Sequence, residues 1–295
     1  MKAHVLMLVT AASFSPVIFA EASNVPTPSA GSLVLTYFEP AEITNIPDTG
    51  SRPEATQVDS HLKLPLGASG DIKNGLWVYS VNLREREFRL TNVSGDGKQR
   101  LYDISVPITY IRQYDNDSRW IFNISPGVKS SLEYFGTDDL AANAVAQYSS
   151  SSEGHGYNLG LVYTHRFGEG EFLPLVNYQY QSSKRLSMVL GFPYSRVSFA
   201  PTASQHYFAK LTPEGGNWHV YNNGDEDQTF DFQQKGVRFG FGAEFHVGGP
   251  VWLGAEAGVQ FNQELTLDDE QGNSGTLELD DSQYLQLTAK LRFSK

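Results

Sequence analysis

The chain has no cysteine. That excludes a disulfide framework, a thiolate nucleophile, cysteine-ligated metal and a lipid-bearing N-terminal cysteine. Beyond its first two dozen residues it also lacks any run of 18 apolar residues, so nothing reads as a membrane-spanning helix. Positive charge is scarce: 22 Lys and Arg face 33 Asp and Glu, a formal net charge of −11. A surface of that sign repels a phosphate backbone and argues against nucleic acid as a partner. Mean hydropathy is negative. That ordinarily marks a soluble protein, but a β-barrel escapes the rule because only alternate residues meet lipid.

The carboxylates gather in turn-like stretches: Asp115-Asn-Asp117, Asp225-Glu-Asp227, Asp268-Asp-Glu270 and Asp280-Asp281. None has the spacing of a calcium loop, so no metal site is expected, and no motif calls for a cofactor. The clusters read first as a solvated loop surface, and second as divalent-cation contacts with lipopolysaccharide.

What is present is alternation. In Tyr284-Leu-Gln-Leu-Thr-Ala-Lys-Leu-Arg-Phe293 every second residue is apolar. A strand has a side-chain period of two, so one face is oily and the other wet. The run is long enough for a tilted strand to cross a bilayer. Its aromatic near the end resembles the closing strand that the bacterial barrel-insertion machinery reads. The same pattern recurs upstream, as in Tyr102, Ile104, Val106, Ile108, Tyr110, then Trp120, Phe122, Ile124, then Val237, Phe239, Phe241, Ala243, Phe245, Val247. None of these faces carries Asp, Glu, Lys or Arg, as lipid requires, and aromatics favour the run ends.

The N-terminus reads as a secretory signal peptide over residues 1–22. A positive Met1-Lys-Ala-His leads into an apolar stretch, then Ala20-Glu-Ala22, with the cut after Ala22. Residues 23–31 are Pro/Ser-rich and read as a periplasmic linker, and residues 32–295 as one barrel domain. The expected fold is all-β: a transmembrane antiparallel up-and-down β-barrel in the outer membrane, with about 12 strands and 10 to 14 admissible. Residues 137–147 are ambiguous, since Thr137 caps well and alanine is abundant, which suits a short helix. Gly215-Gly216 reads as a turn preceding an interfacial Trp218.

Several motifs resemble a family of bacterial outer-membrane barrels known only as a domain of unknown function. They are Tyr163-Thr-His-Arg-Phe-Gly-Glu-Gly170, Leu173-Pro-Leu-Val-Asn-Tyr178, Leu190-Gly-Phe-Pro-Tyr-Ser-Arg196, Gly215-Gly-Asn-Trp-His-Val-Tyr221 and Lys235-Gly-Val-Arg238. The resemblance implies fold and location but brings no activity and no catalytic residues.

The inward faces supply the site candidates. Arg238, Glu244, Glu256, Lys290 and Arg292 fall on the polar faces of the last three long strands, with Lys290 and Arg292 as expected partners of Glu244 and Glu256. The inward glycines Gly240, Gly242, Gly254 and Gly258 either leave a pore or make room for large side chains. The leading function is a passive channel or transporter for small solutes. The alternatives are a hydrolase of lipid or lipopolysaccharide and a non-conducting structural or adhesive barrel. Neither Ser60-His61 nor Ser204 with His206 sits in a hydrolase motif. Outer-membrane lipid, lipopolysaccharide and the insertion machinery are the expected partners.

Overall fold

The computed structural model describes residues 29–292, apart from 47–51, 93–96, 115–117, 183–184, 223–224 and 270. The proposed signal peptide, most of the proposed linker and Phe293 therefore lie outside the described residues. The strands are β1 (Gly31–Phe38), β2 (Ala41–Glu42), β3 (Glu54–Asp71), β4 (Gly75–Thr91), β5 (Gly97–Ser105), β6 (Ile108–Gln113), β7 (Ser118–Ser130) and β8 (Leu140–Ser152). They continue as β9 (His155–Thr164), β10 (Glu171–Gln181), β11 (Leu186–Phe192), β12 (Ser195–Thr202), β13 (Gln205–Asn222), β14 (Asp225–Gly248), β15 (Val251–Asp269), β16 (Ser274–Leu279) and β17 (Ser282–Leu291).

Neighbours in sequence pair antiparallel, and the sheet closes on itself. β1 pairs with β3 on one side, from Ser32↔Lys63 to Tyr37↔Val58, and with β17 on the other, from Gly31↔Leu291 to Phe38↔Tyr284. Closure removes the unpaired edges that membrane interior forbids. Three of the 17 segments continue a neighbour. β2 follows β1 after Glu39-Pro40, β6 follows β5 after Val106-Pro107, and β17 follows β16 after Asp280-Asp281. In each case one strand pairs with both pieces: β3 with β1 and β2, β4 with β5 and β6, β15 with β16 and β17. Pro40 and Pro107 lack the N–H that an uninterrupted ladder needs. The ring thus has 17 − 3 = 14 staves, above the expected 12 and at the top of the admissible range.

The alanine-rich segment is a strand, not a helix. Only Thr137–Asp139 turn; Leu140–Ser150 pairs with β7 and Ala144–Ser152 with β9. Two flanking ladders outweigh the few tenths of a kcal/mol per residue that alanine offers a helix.

Exposure is inverted relative to a soluble protein. Leu35, Phe122, Leu161, Phe241, Leu253 and Leu287 are exposed, while Asp59, Arg86, Asn158, Glu244 and Gln260 are buried. The exposed apolar face of β14 runs from Val237 to Val247. At about 3.4 Å per residue and a tilt of about 40° that is about 26 Å, the height of a barrel's lipid-facing band. On β4 the outward row passes from Trp77, Tyr79, Val81 and Leu83 to Glu85 and Glu87, which pair with Lys98 and Arg100. The band ends there. Toward the terminal end of the ring, aromatics touch from strand to strand: Trp77 with Tyr110 at 4.8 Å between ring centroids, Trp120 with Tyr148 at 5.4 Å, Tyr148 with Tyr157 at 6.3 Å. This is an interfacial girdle. The turn at Asp71 closes tightly, and the Asn74 side chain and N–H hold the Asp71 carboxyl below its usual range.

The staves differ in height. β12 accompanies β13 only as far as Ser195↔Leu211, while β13 and β14 stay paired up to Tyr221↔Thr229. Beyond the belt this tall hairpin leans across the ring, and a parallel bridge joins His219 to Ser130 at the end of β7. Phe88, Leu101, Trp218, Val220, Phe232 and Leu265 meet beneath it as an apolar core. The tall side of the barrel is therefore capped by its own strands.

That cap corrects the reading of Gly215-Gly216. Both lie inside β13, with no turn, and Trp218 is 2% exposed rather than interfacial. A Cβ on Gly216 would strike the Trp218 ring, and one on Gly215 would strike the backbone carbonyls of Gln234 and Arg166. The glycines allow the indole to fold back and the 165–170 connection to press against the strand.

Candidate functional site

The polar faces of the staves converge on the barrel interior, where charge is organised in clusters. Arg84 Nη2 donates to Asp59 Oδ2 at 2.7 Å and to Glu214 Oε1 at 2.6 Å. Arg86 bonds Glu214 and Gln234. Arg238 reaches Asp59 Oδ2 at 3.2 Å, Glu214 Oε2 at 3.4 Å and, through Nε, Gln260 Oε1 at 2.7 Å. Two carboxylates thus share three guanidiniums. Arg86 also lies over the Trp218 ring, 4.9 Å from its centroid, which ties this cluster to the cap.

The second cluster centres on Glu244. Lys290 Nζ and Arg292 Nη2 each donate to it at 2.5 Å, and His206 Nδ1 stands 3.0 Å from Oε2. Glu256 has different partners: Lys210 Nζ at 2.8 Å, the Tyr284 hydroxyl at 2.5 Å and, more distantly, Gln286. All five residues singled out from the sequence are thus inside the ring. Both cations expected as partners of Glu244 and Glu256 bind Glu244, and Glu256 takes its lysine from β13.

Glycine explains these reaches. In the ladder row Glu244↔Gly254↔Thr288 the middle position has no side chain, so Glu244 extends across β15 to the cations of β17. A Cβ on Gly254 would lie 2.8 Å from Glu244 Cγ. Gly240 likewise clears the way from Glu256 to Lys210: its Cβ would lie 2.7 Å from Glu256 Oε1 and strike the Tyr284 hydroxyl. The Phe208 ring occupies the space over Gly242. The inward glycines therefore accommodate large neighbouring side chains and are not the walls of an open bore.

Sequence reasoning missed Asp59, Arg84, Arg86 and Glu214. The signal existed: Asn82, Arg84 and Arg86 continue the inward face opposite Trp77–Leu83. It is masked because Arg84-Glu85-Arg86-Glu87 is charged on both faces at the belt's edge. Among the described residues, neither His61 nor His206 hydrogen-bonds the serine that neighbours it in sequence. Ser60 and His61 point to opposite faces, as adjacent strand residues must. His206 Nε2 is buried without a hydrogen-bond partner, and His219 Nδ1 faces Asp231 at 3.1 Å.

A closed antiparallel ring, apolar outside and charged inside, is a transmembrane up-and-down β-barrel. Over residues 37–287 the sequence matches the family described as a domain of unknown function, DUF6268, and the chain belongs to that family. No curated protein matches it. Among solved structures it is similar to an outer-membrane channel from Pseudomonas putida F1, at 11% identity over 90% of this chain and 97% of that one, TM-score 0.46. It is also similar to the TodX monoaromatic hydrocarbon channel, at 9% identity over 90% and 89%, TM-score 0.45. A porin of Rh. blastica follows at 7% identity over 87% and 99%, TM-score 0.25. At such values the likeness is one of fold and nothing finer.

Proposed function

We propose that this barrel resides in the bacterial outer membrane and provides passive passage for small solutes, with the present conformation shut by the β13–β14 cap. The supporting observation is the interior itself. A barrel needing only rigidity gains as much or more from apolar packing as from buried ion pairs, which seldom repay their desolvation. This interior instead keeps rows of Arg, Lys, Glu, Gln and Asn. Lipid and lipopolysaccharide contact the belt and rim in this reading, the termini face the periplasm, and the insertion machinery takes the β17 end.

A second reading, a non-conducting structural barrel, is favoured by the packed glycine rows and the ion-paired clusters. Planar-bilayer recordings separate the two. The wild-type protein is expected to show rare, small openings. The double change Trp218→Ala with Phe232→Ala, which empties the cap's core, is expected to raise open probability severalfold. Silence from both proteins, with many copies inserted, selects the non-conducting barrel.

A further inference from the structure

We infer that the polar cavity lined by β3, β4, β5, β7, β8 and β9, with Arg166 and with Gly215 of β13, is a binding site for a small oxyanion, with inorganic phosphate as its test ligand. The cavity measures about 100 Å³. At about 30 Å³ per water it takes roughly three waters, or one ion of tetrahedral oxyanion size. It lies apart from the Glu244 and Glu256 clusters, and nothing in the channel reading requires it.

The lining is electrostatically one-sided. Arg84, Lys129 and Arg166 face the cavity, and Asp103 is the one carboxylate among its lining residues. This stands out in a chain whose net charge is −11. Lys129 carries most weight. It is 7% exposed, and its ion-pair partner is Asp103. Its nearest carboxylate oxygen, Asp103 Oδ2, is 3.8 Å away. An ammonium has three donors, and one carboxylate at that distance leaves room for further acceptors. Arg84 adds to this: its Nη2 serves Asp59 and Glu214, but its Nε is buried with no partner.

Neutral donors complete the shell. Ser105, Asn143 and Thr164 line the space, as does Ser125, whose hydroxyl donates to Asn123 Oδ1. Asn82 is buried with an unpartnered side-chain oxygen, and its amide is free to turn and present its N–H groups. Convergent cations with small hydroxyl and amide donors suit the acceptor-only surface of an oxyanion. A metal cation would meet the wrong sign, and an apolar ligand would leave these donors unmet.

The test is calorimetric titration of the refolded barrel in detergent with inorganic phosphate, at ionic strength held constant with chloride. One saturable site per chain is expected. Lys129→Gln should weaken binding at least tenfold. Ser125→Leu, which fills the cavity without changing its charge, should weaken it comparably. Lys98→Gln, on the outer wall, should leave it unchanged. Heat-modifiable migration shows that each variant is folded. Absence of saturable binding in the wild-type protein, or undiminished binding in both cavity variants, overturns the inference. Bilayer silence does not bear on it, and failed phosphate binding leaves the channel reading intact.

Discussion

Glu214→Ala is expected to lower the unfolding free energy of the refolded barrel by about 3–5 kcal/mol, the usual loss when one partner of a buried ion pair is removed. Glu214 is 6% exposed and serves three guanidiniums, those of Arg84, Arg86 and Arg238. Without it Asp59 alone must balance all three in a space sealed by Phe38 and Trp218, each lying under one of these guanidiniums. Urea titration in detergent micelles reads the change as a shifted midpoint with an unchanged slope. Replacing a rim carboxylate such as Glu85, which is half-exposed and pairs with Arg100 at 3.7 Å, should cost less than about 1 kcal/mol. Equal losses at the two sites would mean that the interior cluster is solvated and carries no packing role.

Phe241→Lys is the second large effect. Phe241 is 61% exposed and sits mid-band on β14. In a soluble protein, exchanging so exposed a ring for lysine changes stability by roughly 0.5 kcal/mol or less. At the midplane of a bilayer the same change costs about 2–4 kcal/mol. Folding into lipid vesicles, followed by urea titration, distinguishes the two. The same substitution at Glu85, outside the band, should be nearly silent.

The oily faces were legible in the sequence because lipid enforces a simple rule along every stave: no charge at alternate positions. Trp77–Leu83, Tyr102–Tyr110 and Leu285–Leu291 all face outward as their period demands. The inward destination of Arg238, Glu244, Glu256, Lys290 and Arg292 followed from the same period. The pairing among them did not. It depends on ladder register and on which intervening position is glycine, as Gly254 shows for Glu244. The cap was illegible for another reason. Trp218 and Val220 alternate like any barrel strand, and only the early end of β12 releases that part of β13 to lean inward. The alanine run misled because its helix propensity is local, whereas its strand state comes from β7 and β9. Strand number was underestimated because β11 and β12 are separated only by Pro193-Tyr194 and read as one continuous run.

The central claim is a barrel whose outer face meets lipid and whose inner face is sealed from it. Its tryptophans report on both faces: Trp77 and Trp120 are exposed on the outside, Trp218 and Trp252 buried inside. The direct measurement is fluorescence of single-tryptophan variants, the other three changed to Phe, folded into vesicles whose acyl chains carry bromine. Strong quenching of Trp77 and Trp120, with Trp218 and Trp252 spared, is the predicted result. Equal quenching of all four, or none at Trp77 and Trp120, would contradict it.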